Sequence, residues 1–523
     1  VTTSLLLGIL LLGVVVLTPL ADRLRVPSPV LLTVFGLLVP LLPWTPQLRL
    51  DPALILPVVL PPLLFAATQR SSAIEFRREA KPILLLAVGL TMATAAAVAW
   101  AAHSVGLGWG PAWVLGAVVS PPDPVAATAV ARRLQLPDRV VTVLEGEGMF
   151  NDATALVLYG LAVSAVVSGS ITAGDVALQL VLAVVGGVAV GLAAGWLTTV
   201  ALKGLREASA ETTITLAMPF VTYLVAERVD GSGVLAVLTL GLYLRSYGHP
   251  ALTSGGWLLG RSVWRYADYL ITSLVFVLIG FELTAVLEQS RVNRTSLTVA
   301  AVTVGVLVAL RFAWMFGVGT LARLPGRRPA SERSGRRELL VLSWAGMRGV
   351  VTVAAVLALP LTVESSGDFP QRPEIVFVAL TCVLVTLVVQ GLSLSPLVHA
   401  LGVGTDADPA GAAHELRRRA VDAALQVVRS RQGDVPPEVC QAVRLQYEGR
   451  LAAQEALRHA RSGPDDAPAE RTESTEALQR LLADTSEAER ALVLQARRAG
   501  EVSAEVADDV LTEIEARALR ELD

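Results

Sequence analysis

The chain has 523 residues, 53% hydrophobic and 17% charged, with a formal net charge of -3 and a mean hydropathy of +0.58. Soluble domains carry about 25% charged residues, so the composition excludes an ordinary soluble domain and fits a polytopic membrane protein. Two distant cysteines, Cys382 and Cys440, and five scattered histidines exclude a disulfide framework and a zinc-type cluster.

Apolar length and polar punctuation predict about thirteen membrane spans. The first six run approximately Thr3–Leu20, Pro29–Trp44, Pro52–Gln69, Pro82–Ser104, Ala112–Leu134 and Val140–Val167. The next seven run approximately Val176–Leu202, Thr212–Arg228, Gly233–Leu244, Tyr266–Leu287, Leu297–Leu321, Glu338–Leu361 and Ile375–Leu401. The first stretch lacks a basic leader region and a small-residue cleavage site, so it reads as a span rather than a signal peptide. Basic residues cluster after odd-numbered spans, among them Arg23 and Arg25, Arg77, Arg78 and Lys81, Arg132 and Arg133, and Arg327 and Arg328. The positive-inside rule then predicts an N-terminus outside, a C-terminus in the cytoplasm and a multi-pass protein of the inner, cell membrane.

After residue 403 the composition changes to Ala, Arg, Glu, Asp and Leu in helix-compatible patterns such as Leu451, Ala452, Leu457 and Leu478, Leu481, Leu482. Clusters at Gly433–Pro437 and Ser462–Pro468 read as linkers between helices. The expected organisation is a transmembrane domain over residues 1–403 and a helical cytoplasmic domain over 404–523. The second is a solvated or regulatory appendage, or else a dimerisation or ligand-sensing module.

Three constellations within the spans could carry chemistry. Leu144-Glu145-Gly146-Glu147-Gly148-Met149-Phe150-Asn151-Asp152 opens the sixth span. A carboxylate at membrane depth costs at least ~2.5–3.5 kcal/mol, so it is rarely there without a role. A buried aspartate such as Asp152 holds a proton near neutral pH, and its carboxylate is a hard oxygen ligand for a small cation. One group that holds either, but not both, suffices for obligatory exchange. Asn151 beside it offers a neutral oxygen. The plainer reading is an ion-paired structural cluster, which suits Glu147 better than Asp152.

Ser120-Pro121-Pro122-Asp123-Pro124 interrupts the fifth span. Consecutive prolines cannot continue a helix, and Asp-Pro is a cap followed by proline at the first helical position. The span is expected to break and restart, with Asp123 capping its second half. The plainer reading is a kink without substrate contact, although discontinuous helices commonly form transporter sites. Ser343-Trp344-Ala345-Gly346-Met347-Arg348-Gly349-Val350 interrupts the twelfth span, where Gly346 and Gly349 flank a buried arginine. Arg348 needs a partner at that depth, and Glu147 is the expected one. Arg311, deep in the eleventh span, needs a carboxylate or carbonyl that the sequence does not identify. Interruptions seven spans apart predict two inverted repeats with broken, crossing helices.

On these three motifs the chain resembles bacterial sodium/proton antiporters of the NhaP-like group, relatives of the animal sodium/proton exchangers. The resemblance covers Thr3 to about Leu401 and leaves the tail outside it. It implies an all-α fold, a homodimer with a dimerisation part and a moving core part, and alternating access. It also implies a cation held chiefly by Asp152, with Asn151, Asp123, Pro122 and Gly148 around it. Glu147 and Arg348 are implied as a structural pair in the core, and Asn151-Asp152 goes with electroneutral exchange. Three positions depart from the group: Gly148 where a serine is frequent, Ala66 where some members are acidic, and Pro122 where a threonine is common.

The expected function is exchange of Na⁺, or Li⁺ or K⁺, for H⁺ in pH and sodium homeostasis. The expected partners are the ions, membrane lipid and a second copy of the chain, with no cofactor and no nucleic acid. The alternatives are a proton-coupled transporter of another substrate and a K⁺/H⁺ antiporter regulated by its tail. An enzyme is not expected, because no nucleophile–base or metal-ligand cluster is present in the sequence.

Overall fold

A computed structural model describes residues 3–24, 26–41, 52–70, 80–123, 127–128, 131, 136, 138–168, 173–248, 251–289, 294–321, 335–363, 367–403, 409–430, 436–461, 491–492, 495 and 516. The chain forms two compact units, Val1–Thr405 and Asp406–Asp523. Both are helical, and the only strands among the described residues are Thr362–Val363 and Gly367–Asp368, one short antiparallel pair.

The first unit begins with α1 (Thr3–Leu24), α2 (Ser28–Leu38), α3 (Pro52–Arg70), α4 (Ala80–Ser104) and α5 (Trp109–Val119). It continues with α6 (Asp138–Ser168), α7 (Ala173–Gly204), α8 (Ala208–Arg228), α9 (Gly233–Tyr243), α10 (Ser254–Gln289) and α11 (Arg294–Leu321). Two half-helices, α12 (Arg336–Trp344) and α13 (Val350–Leu357), precede α14 (Arg372–Leu401). At 1.5 Å per residue α6 is about 46 Å long, more than a bilayer core requires.

By length and hydropathy seven of these helices can cross a membrane: α3, α4, α6, α7, α10, α11 and α14. The other six expected spans are helices that are short (α2, α9), broken (α5, α12 with α13), apolar over Gly8–Ala21 (α1), or more polar (α8). The tenth is longer than the sequence suggests, because α10 starts at Ser254 rather than Tyr266. Its first three turns carry Arg261 and Arg265, which apolar counting assigns to a loop. Pro61 and Pro62 lie within the single helix α3.

The helices pack as two groups. In one, α4 lies against α5 and α11, α5 against α6, and α11 against α14. In the other, α2 lies against α10, α7 against α9, and α8 against α9 and α10. Helix α3 joins them, touching α8, α9 and α10 on one side and α13 on the other. The contact region is apolar, with Leu60, Leu64, Phe65, Met149, Trp264 and Ala354 in one buried cluster. Burying such side chains stabilises the unit by ~1.5–3 kcal/mol each if they would otherwise face water.

In the second unit α15 (Pro409–Ser430) and α16 (Pro437–Arg461) pack on each other. The expected apolar positions Leu478, Leu481 and Leu482 lie outside the described residues.

Candidate functional site

Two interrupted helices meet at the centre of the first unit, and each supplies what the other lacks. In a continuous helix the Asp123 N–H would reach the Val119 carbonyl. Instead it donates to the Met347 carbonyl at 2.7 Å, and Val119 accepts from Arg348 Nε at 2.6 Å. In the twelfth span the Val350 N–H would reach Gly346. Instead it donates to Asp123 Oδ2 at 3.2 Å, and Gly346 accepts from Arg348 Nη1 at 2.8 Å. The backbone groups released by both breaks therefore find partners at membrane depth, as an apolar surrounding demands.

This arrangement gives Asp123 a role on the other broken helix. Asp123 places its carboxylate at the N-terminus of α13, on the other broken helix, where the helix dipole favours an anion. The start of the second half of the fifth span, residues 124–126, lies outside the described residues. Gly349 is required at the crossing, because a Cβ there would stand 1.5 Å from Asp123 Oδ2.

One correction concerns the buried pair. Glu147, 1% exposed, is held by Arg311 through two bonds, Nη1 to Oε1 at 2.5 Å and Nη2 to Oε2 at 2.9 Å. Arg311 Nε also donates to the Leu342 carbonyl at 3.1 Å, one of the acceptors left open where α12 ends. A Cβ on Gly346 would come within 2.4 Å of Arg311 Cδ, so the glycine makes room for this side chain. Arg348, 2% exposed, is held by carbonyls, and its N–H donates to Thr386 Oγ1 at 3.0 Å. The expected Glu147–Arg348 pair is thus a Glu147–Arg311 pair. The broken helix offers Arg348 enough carbonyl oxygen without a carboxylate.

Beyond this pair along α6, the Asn151 amide donates from Nδ2 to the Pro122 carbonyl at 2.9 Å. That bond ties α6 to the break in the fifth span and uses the carbonyl that the prolines expose. Asn151 Oδ1 is buried and unpaired.

Asp152 is partly buried and lines a cavity of about 100 Å³ with Asp123, Glu145, Gly148, Thr352 and residues of α3 and α10. Among the described residues Asp152 makes no hydrogen bond or ion pair, and Asp123 is close enough to repel it. The structure therefore brings Asp152, Asp123 and Gly148 to one cavity, with Asn151 and Pro122 bonded to each other beside Asp152 and Asp123 in the chain. Glu147 and Arg348 serve other contacts.

Four polar cavity residues escape the sequence reading, Thr128 beyond the break in the fifth span among them. Asp268 and Thr272 come from α10 and Thr352 from α13. The early start of α10 hid Asp268 by making it look like the edge of a span. The signal was the stripe Arg261, Arg265, Asp268 and Thr272, spaced four, three and four residues apart along one helix face.

Comparisons with known proteins bear on the family and the fold. Residues 9–400 match the family described as sodium/hydrogen exchanger, transmembrane. An uncharacterized Na⁺/H⁺ exchanger of Mycobacterium tuberculosis is 34% identical over 483 residues, covering 90% of this chain and 88% of the relative. A sodium, potassium, lithium and rubidium/H⁺ antiporter of Bacillus subtilis is 26% identical, covering 85% and 68%. The solved sodium proton antiporter MjNhaP1 of Methanocaldococcus jannaschii shares the fold with a TM-score of 0.60 at 20% identity, over 76% of this chain and 98% of that one. The chain belongs to the sodium/hydrogen exchanger family and is a multi-pass membrane cation/proton exchanger.

Proposed function

We propose that the chain exchanges one Na⁺ for one H⁺ by alternating access, with Asp152 as the group both ions compete for. The observation that carries this reading is the Asp152 carboxylate, without a partner among the described residues, in a small cavity beside two broken helices. Protonated, Asp152 is neutral; deprotonated, it is a hard oxygen ligand, and the two states exclude each other. One charge in and one charge out makes the cycle electroneutral. Asp123, Asn151, Gly148 and the Pro122 carbonyl complete the surroundings of the ion. Asn151 steadies the site by its bond to Pro122.

The packing in two groups supports movement of the α4, α5, α6, α11–α14 group against the rest. A second cavity of about 610 Å³ supports a cytoplasm-facing state. It is lined by Phe65, Gln69, Arg245, Arg261, Trp264 and Arg265, on the side where the charge pattern puts the cytoplasm. Along α3 and α10 it neighbours the Asp152 cavity, with Phe65 against Trp264 at 4.6 Å between ring centroids. A homodimer in the inner membrane, with the N-terminus outside and the tail inside, completes the reading.

No lysine or arginine lines the Asp152 cavity among the described residues, which argues against an anionic organic substrate. A relative named for sodium, potassium, lithium and rubidium makes K⁺ a second candidate ion. The test is proton movement in proteoliposomes carrying a pH-sensitive dye, with Na⁺, Li⁺ and K⁺ added in turn. A cation-dependent signal without net current is expected. No signal with any cation from folded protein would overturn exchange, and a net current would overturn electroneutrality.

A further inference from the structure

Threonine hydroxyls in helices ordinarily donate to the carbonyl four residues back. Thr18, Thr154, Thr198 and Thr386 do so here, to Val14, Phe150, Ala194 and Cys382. Thr352 is the third residue of α13, and the carbonyl four residues back belongs to Arg348, in the non-helical stretch before it. The helix break thus removes its usual acceptor. Thr352 is 1% exposed, and its Oγ1 is buried with no hydrogen-bond partner. Other threonine hydroxyls share that state, including Thr33, Thr91, Thr222 and Thr303. Of the unpaired ones, only Thr352 and Thr272 line the cavity that holds Asp152.

A buried hydroxyl without a partner is destabilising, and such a group calls for an explanation. A dehydrated cation needs neutral oxygens to replace its water as well as a carboxylate to balance its charge. Two residues before Thr352, the Val350 N–H binds Asp123, so this turn of α13 is fixed to the acidic wall of the cavity. We infer that the Thr352 hydroxyl is a cation ligand, contributed by the second broken helix opposite Asp152 on α6. The inference rests on the exchange reading above and adds a site residue to it. It also gives the second break a direct part in holding the ion, beyond structural support.

The test compares the full chain with Thr352→Val and Thr352→Ser, using proteoliposome exchange and Na⁺-dependent thermal stabilisation of purified protein. Valine has the shape of threonine without the oxygen. The expected result is an apparent KM for Na⁺ raised roughly three- to tenfold in Thr352→Val. Its Na⁺-induced rise in Tm is expected to shrink, and its Tm without Na⁺ to be unchanged or higher, since an unsatisfied hydroxyl has been removed. Thr352→Ser is expected to keep the wild-type KM within about twofold. If wild type responds to Na⁺ and Thr352→Val responds identically, this inference fails and the exchange reading stands. If Thr352→Val is unstable or fails to fold, the hydroxyl has a structural partner and the inference fails as well. If wild type itself responds to no cation, both readings fall together.

Discussion

Helix α6 carries two acids in opposite conditions, little more than one turn apart. Around Glu147 every group is closed: two guanidinium bonds hold the carboxylate, and the third nitrogen of Arg311 ends on a helix carbonyl. Around Asp152 several polar groups stay open: among the described residues the carboxylate has no partner, and the hydroxyls of Thr272 and Thr352 and the Oδ1 of Asn151 are unpaired. A closed polar network fixes a structure, whereas an open one at the same depth has a cost that only a ligand can offset. The first region is a brace and the second a seat, so substitutions in the two should fail in different ways.

Four substitutions sharpen the contrast. The largest functional effect is expected from Asp152→Asn, which should abolish cation-dependent proton movement in proteoliposomes while leaving the elution volume and Tm near wild type. Residual exchange above background would remove Asp152 from its role. Arg311→Ala should have the largest effect on folding, about 3–5 kcal/mol, because it strands a buried carboxylate. Thermal unfolding in detergent would read this, and Arg311→Met combined with Glu147→Gln should recover most of the loss. Arg348→Ala should cost less, about 1–3 kcal/mol, since it strands only the carbonyls of Val119 and Gly346. A larger loss than in Arg311→Ala would return Glu147 to Arg348. The smallest stability change is expected from Asp123→Asn, about 0.3–2 kcal/mol, because the amide oxygen still accepts from Val350 while the charge at the α13 end is lost. A change beyond that range would mean that the charge of Asp123 serves more than this cap.

Both breaks were legible in the sequence, because proline and glycine act on their own backbone and need no tertiary context. The acids of α6 were legible for a similar reason, since charge inside an apolar run is a local anomaly. Partners were less so. Glu147 and Arg311 are 164 residues apart, and nothing local distinguishes Arg311 from Arg348 as the counter-charge. The sequence pairs Glu147 with the arginine that looks more exceptional. The structure gives that arginine carbonyls released by the breaks, a supply that depends on two distant segments crossing. The cap that Asp123 makes on α13 was out of reach for the same reason, since Val350 is 227 residues away. Asp268 was missed because hydropathy assigns the helical turns before Tyr266 to a loop, which leaves Asp268 at the edge of a span.

The exchange of hydrogen bonds between Asp123, Val119, Gly346, Met347, Arg348 and Val350 has a consequence for anyone who would move this site into another protein. Grafting the Pro-Pro-Asp segment alone would import an orphan Val119 carbonyl and an Asp123 N–H with nowhere to donate. Grafting the Gly-Met-Arg-Gly segment alone would import a buried guanidinium with no carbonyls beyond its own turn. Each is a defect in isolation, and only together do they complete a backbone. The unit of inheritance, and of engineering, is the pair.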